Sequence, residues 1–173
     1  MDIVYITTQE QGQSDAILSQ VATQLAEQGL RLAGVVQTNS DRPDCRGCDM
    51  DVSVLPDGPT IRISQSLGRD ARGCKLDPSA LEHAVVEVQT RLSKATDLLI
   101  LNKFGKHEAD GRGFRVLIAE ALSEGIPVLT AVNHMNEEAF LDFTGGFATK
   151  LPPNVQALSE WAAAISANRE TAA

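Results

Sequence analysis

Asp97-Leu98-Leu99-Ile100-Leu101-Asn102 is an almost continuous apolar run that ends on a polar side chain. A strand covered on one face alternates apolar with polar residues. One covered on both faces does not, so this run predicts a central buried strand of a parallel sheet, with helices on each side. The neighbouring segments fit that frame. Ile3-Val4-Tyr5-Ile6 is short, β-branched and aromatic, and reads as a strand. A polar turn follows, then a helix from about Ser14, with Ile17, Leu18, Val21 and Leu25 as its apolar stripe and Gly29 at its end. Gly34-Val35-Val36-Gln37 is a second strand, which completes a strand–loop–helix–strand unit.

Further along, Asp77-Pro78 supplies a capping acid and a proline at the first helical position. Leu81, Ala84, Val85, Val88 and Leu92 follow at spacings of 3, 4, 7 and 11 from the first, the cleanest helical period in the chain. Phe114, Leu117, Ile118, Ala121 and Leu122 mark another helix, stopped by Gly125 and Pro127. A strand over 127–132, a short helix Glu137 to Phe143 and a terminal amphipathic helix with Val155, Leu158, Trp161 and Ile165 complete the pattern. The expected fold class is α/β, a three-layer sandwich with a mostly parallel sheet flanked by helices. It forms one domain over 1–168, with a frayed end at 169–173.

The stretch from about 39 to 76 departs from this rhythm. Asp51-Val52-Ser53-Val54-Leu55 and Thr60-Ile61-Arg62-Ile63-Ser64 alternate around Pro56-Asp57-Gly58, a strong turn signal. They read as a β-hairpin inserted into the α/β body.

Composition narrows the function classes. With 43% hydrophobic residues among 173, a real core is available. The net charge of −8 argues against a nucleic-acid partner, because phosphate binding needs clustered Lys and Arg. No apolar run approaches the ~20 residues that span a bilayer, and no basic-then-apolar leader opens the chain, so membrane insertion is not expected and a cytoplasmic location is the default.

The loop after the first strand has the layout of a phosphate-binding loop, in which backbone N–H groups and a helix N-terminus favour an anion. Against the signature G-x-x-x-x-G-K-[ST], the window is Thr7-Thr8-Gln9-Glu10-Gln11-Gly12-Gln13-Ser14. Gly12 and Ser14 match; Thr7 replaces the first glycine and Gln13 the lysine. The missing lysine removes the cation that stabilises charge on terminal phosphates, and Glu10 adds negative charge. Strand–loop–helix turns carrying Gly and Ser are common in α/β proteins, so this loop alone does not decide the function.

The buried strand ends at Asn102-Lys103, where phosphate-loop enzymes place an acid that reaches Mg²⁺. Asn102 offers no charge, and Lys103 cannot act as a base. Glu108 is the nearest candidate catalytic carboxylate. Lys103, Lys106, His107, Arg112 and Arg115 form a basic cluster in an acidic chain. It follows the C-terminal end of a strand, where open α/β sheets bind ligands.

Cys45, Cys48 and Cys74 flank the hairpin, and an odd count excludes full pairing within the chain. If the feet of the hairpin meet, the three sulfurs could hold a metal such as Zn²⁺, with Asp77 or His83 as a fourth ligand. Cys45 and Cys48 could instead form a redox pair beside Arg46. Reduced thiols without a role remain the plain alternative.

With these pieces placed, the chain resembles an uncharacterised bacterial family, a domain of unknown function often associated with molybdate-transport genes. The resemblance rests on Cys48-Asp49-Met50, Ile63-Ser64-Gln65-Ser66-Leu67-Gly68, Gly73-Cys74-Lys75-Leu76-Asp77, Leu101 through Glu108, and Gly111-Arg112-Gly113-Phe114-Arg115. More distantly, it is similar to small P-loop nucleoside triphosphatases that carry Asp-Glu-Ile-Gly-Lys-x-Glu after the Walker B strand. On that motif Gly105, Lys106 and Glu108 match, while Asn102 and Lys103 replace the two acids. The resemblance implies a P-loop-like fold. The ligand would be a small-molecule nucleotide or other oxyanion, bound with Mg²⁺, or a thiolate-bound metal or molybdate. Hydrolysis is expected to be weak or absent. The expected contacts are Thr7, Thr8, Gly12, Gln13, Ser14, Asn102, Lys103, Gly105, Lys106, Arg112 and Arg115.

Overall fold

A computed structural model of the chain describes residues 2–41, 48–65 and 76–172. Strands β1 (Ile3–Ile6), β2 (Leu32–Asp41), β3 (Cys48–Leu55), β4 (Thr60–Arg62), β5 (Leu98–Phe104), β6 (Val128–Val132) and β7 (Thr149–Lys150) form one sheet in the order β4-β3-β2-β5-β6-β1-β7. The pairs β2–β5, β5–β6, β6–β1 and β1–β7 are parallel, and β2–β3 and β3–β4 are antiparallel. The apolar run is thus the middle strand. Leu98, Leu99, Ile100 and Leu101 are each at most 1% exposed, as a strand covered on both faces requires.

Alternation along the strands divides the core in two. On one face Val4, Ile6, Leu98 and Ile100 pack with Leu18, Val21 and Leu25 of α1 (Gln13–Glu27) and with Leu158 and Ala162 of α6 (Val155–Ala172). On the other, Ile3, Tyr5, Leu99 and Leu101 pack with three helices: α2 (Pro78–Gln89), α4 (Arg115–Ser123) and α5 (Glu137–Phe143). The expected start of α2 is in place, with Asp77 accepting hydrogen bonds from the N–H groups of Ser79 (2.9 Å) and Ala80 (3.2 Å). That carboxylate is therefore occupied as a cap.

Besides the short edge strand β7, two features differ from the sequence reading. The expected hairpin is present as β3 and β4, but it is continuous with the main sheet. β2 runs on past Gln37 to Asp41, and β3 pairs with it from Gly34↔Leu55 to Asp41↔Cys48. Thr38 and Ser40 are polar because this ribbon is exposed there. Their hydrophilicity masked a strand. The second difference is a short helix, α3 (Lys106–Ala109), in what reads as a glycine-bearing loop. Among the described residues no helix is long and apolar enough to cross a membrane.

Candidate functional site

The parallel strands β1, β2, β5 and β6 all end at one edge of the sheet, where a crevice forms between their outgoing loops. The loop leaving β1 turns into α1 at Gly12, whose φ of 79° lies in the left-handed region that glycine enters without a Cβ penalty. Thr8, Glu10, Gly12 and Ser14 line a cavity of about 310 Å³ together with Lys103 from β5, the last two residues of β6 and residues 133–135 after it. Four of the expected contact residues thus meet in one pocket. Thr7 is half-buried and Gln13 exposed at its margin.

A polar network adjoins the pocket. Asp15, 4% exposed in the first turn of α1, is its hub. Lys103 Nζ reaches Asp15 Oδ1 at 3.2 Å. Asn39 Nδ2 donates a short hydrogen bond to Asp15 Oδ2, and Gln37 Nε2 lies 3.5 Å from the same oxygen. Gln37 Nε2 also donates to Asn39 Oδ1 at 2.8 Å, and Ser14 Oγ lies 3.4 Å from Asp15 Oδ1. A buried carboxylate persists only when it is paired and hydrogen-bonded in this way. Next to Lys103, Asn102 is 2% exposed, and neither Oδ1 nor Nδ2 has a hydrogen-bond partner among the described residues. It does not line the cavity itself.

The remaining candidates lie elsewhere. Glu108, 3% exposed, accepts hydrogen bonds from the N–H groups of Gly105 (2.9 Å) and Phe114 (3.2 Å). Burial pushes its pKa above the ordinary carboxylate value, and those backbone donors partly oppose the shift. This carboxyl closes the turns on either side of α3. The Arg115 guanidinium stacks 4.3 Å from the centre of the Phe143 ring and lies 3.4 Å from the Glu108 carbonyl. Lys106 is exposed. Arg112 is 3.7 Å from Asp110 and lines a separate cavity of about 660 Å³ with Glu82 and His107, whose side chains meet at 2.8 Å. The basic cluster is therefore dispersed, with Lys103 alone of its members in the loop pocket.

Cys45 and Cys74 lie outside the described residues, and of Cys48 only the backbone is described, at the start of β3. The candidate thiol site falls there with them. His83 pairs with Glu87 at 3.6 Å on the exposed face of α2. Among the described residues no group of three His, Cys, Asp or Glu side chains could hold a metal ion.

Sequence reasoning missed Asp15, Gln37 and Asn39. Gln37 and Asn39 are two apart on a strand and so share a face. Paired polar residues at strand spacing, beside a candidate loop, were the available signal.

Three comparisons bear on this geometry. Residues 3–161 match the family described as "Protein of unknown function (DUF2478)". A stretch of 161 residues, 92% of this chain, is 39% identical to "Molybdenum import ATP-binding protein ModC 2" of Bradyrhizobium diazoefficiens, and spans 18% of that relative's length. The fold is similar to the solution structure of a human cancer-related nucleoside triphosphatase, with a TM-score of 0.67 and 15% identity over the whole of both chains. The fold is thus the α/β, P-loop-like one that the motif resemblance implies.

Proposed function

The chain belongs to the family of unknown function DUF2478, and from that premise we propose that it binds a nucleotide or other oxyanion in the β1–α1 loop pocket, with weak or no hydrolysis. One observation carries the reading. Lys103 projects from β5 into the same cavity as Thr8, Gly12 and Ser14, so a cation reaches the anion position from the sheet although position 13 of the loop has none. Beside Lys103 in sequence, though not in the cavity lining, Asn102 has a buried amide whose donor and acceptor have no partner among the described residues. Buried polar atoms are normally satisfied, so an orphaned amide points to a ligand or ordered water.

Turnover is a different matter. Asn102 stands where an acid would hold Mg²⁺, and both Asp15 oxygens are already engaged. Hard divalent cations need free carboxylate oxygens, so this donor set does not suit Mg²⁺. Glu108 is held by backbone N–H groups and does not line the pocket. Loss of preorganised donors at a phosphoryl site costs several kcal/mol of transition-state stabilisation.

The name of the 39%-identical relative supports a place in molybdenum handling. Because the match spans 18% of that relative, its ATP-driven import as a whole is not carried over. Thermal unfolding with ATP, GTP, molybdate and tungstate tests the reading, since a ligand of the native state raises stability by mass action. At least one should raise the midpoint; no shift with any of them would refute oxyanion binding. Phosphate release should stay near background, and turnover of about 1 per second, ordinary for an enzyme, would refute the weak-hydrolysis reading. Gln13→Lys is expected to raise phosphate release if the loop lacks only its cation.

A further inference from the structure

Two charges stand in transposed positions. In the motif this chain resembles, the loop carries the cation and the strand carries the acid. Here position 13 is Gln and position 102 is Asn, while the acid is Asp15 on α1 and the cation is Lys103 on β5. The two meet at 3.2 Å, with the Asp15 carboxylate 5% exposed and the Lys103 side chain 33% exposed. Lys103 is therefore partly open to the pocket, while its partner is enclosed.

We infer that Asp15 is a positioning residue that holds Lys103 as its counter-ion in the free protein and gives it up to a tetrahedral oxyanion entering the Thr8–Ser14 pocket. The inference rests on the oxyanion reading above and adds a competition to it. Asp15 keeps Asn39 and Gln37 on its second oxygen, so the carboxylate stays hydrogen-bonded when the ammonium swings to the ligand. The ammonium carries three donors on a flexible stem and needs only a small excursion to do so. Asp15 thereby sets the affinity of the site. A ligand must compete with a carboxylate for its principal cation.

The test is calorimetric titration of the full chain with sodium molybdate and, separately, with ATP, which share a tetrahedral oxyanion and differ in source. Wild type, Asp15→Asn, Lys103→Met and the double variant are compared. Asp15→Asn should tighten binding about threefold to fivefold, the worth of a partly exposed ion pair. Lys103→Met should abolish it, and Asp15→Asn should give no tightening in the Lys103→Met background. A merely structural Asp15 would weaken binding when replaced. Binding to the wild type with no tightening in Asp15→Asn, or equal tightening without Lys103, overturns the inference and leaves the site reading intact. Absence of binding to both wild type and Asp15→Asn overturns the two together. If Asp15→Asn fails to fold, the ¹⁵N-lysine ammonium resonance of wild-type Lys103, identified by its loss in Lys103→Met, decides. It should shift as the binding anion is added, and a resonance unmoved at saturation overturns the exchange.

Discussion

Among the described residues, the edge of the sheet that carries the crevice has two buried carboxylates, on Asp15 and Glu108, and they serve opposite purposes. Glu108 is tied to backbone, to the N–H groups of Gly105 and Phe114. Asp15 is tied to side chains, those of Lys103, Asn39 and Gln37. A backbone donor cannot turn away, so removing its acceptor strands it. A side chain can rotate to another partner or to water. The first arrangement builds structure and the second can be rearranged by a ligand, although both groups are almost equally enclosed.

Substitutions separate the two. Glu108→Ala should be the most damaging, because it strands two backbone N–H groups, and buried unsatisfied donors cost about 1–3 kcal/mol each. A loss of about 3 kcal/mol in denaturant unfolding is expected, and a loss below about 1 kcal/mol would show that water replaces the carboxyl.

The glycines give a second contrast. Gly113 has a φ of +59°, and an added Cβ would run into the Glu108 carboxyl and come within 2.9 Å of His107 Cδ2. Gly12 has a φ of +79°, but its Cβ would meet only Asn39 Nδ2, at 3.7 Å. Gly113→Ala should therefore cost more than about 2 kcal/mol, and Gly12→Ala about 1–2, the conformational penalty alone. Equal losses would remove the distinction.

Asp15→Asn should cost less than about 1 kcal/mol of stability, because an amide replaces the carboxylate among groups that can reorient. The smallest effect concerns a third carboxylate, Glu137, which accepts from Tyr5 Oη and Lys150 Nζ, each at 2.9 Å. Lys150 and then Tyr5 hold its pKa below the ordinary 4.5. A carboxyl with a lowered folded pKa stabilises above its unfolded value, and that contribution disappears as pH falls through the folded value. The difference in thermal midpoint between wild type and Glu137→Gln should thus be constant near neutrality and close as pH drops below 4.5. A difference that widened in acid would reverse the assignment.

The middle of the sheet was readable because solvent exclusion leaves a strong compositional mark. Leu98 to Leu101 admit no other placement, and the cap at Asp77-Pro78 states its own geometry. The extension of β2 was not readable, since residues 38–41 pair through backbone while Thr38 and Ser40 show polar side chains to water. At the site, Gly12, Ser14 and Lys103 were legible from spacing. Asp15 was not, because a first-turn acid on a helix looks like an ordinary favourable charge at the N-terminus. Only the tertiary approach of β5 makes it an ion-pair partner. Glu108 and Arg115 were legible as charges, but their engagement with backbone and with Phe143 depends on the fold of the 105–114 loop.

An open sheet leaves two unpaired strand flanks, and each is a template on which another molecule's strand could add. Among the described residues the flanks are β4, three residues ending in Arg62, and β7, two residues ending in Lys150. Arg62 is fixed against Asp51 and Asp49, so a cation and its counter-ions stand at the rim of β4. A docking strand would find few successive hydrogen bonds before meeting charge. The long antiparallel ribbon of β2 and β3 lies inside β4, where Thr60 to Arg62 cover only Asp51 to Ser53. Crowded copies of this chain thus have little purchase for polymerising edge to edge, despite a sheet of seven strands open at both ends.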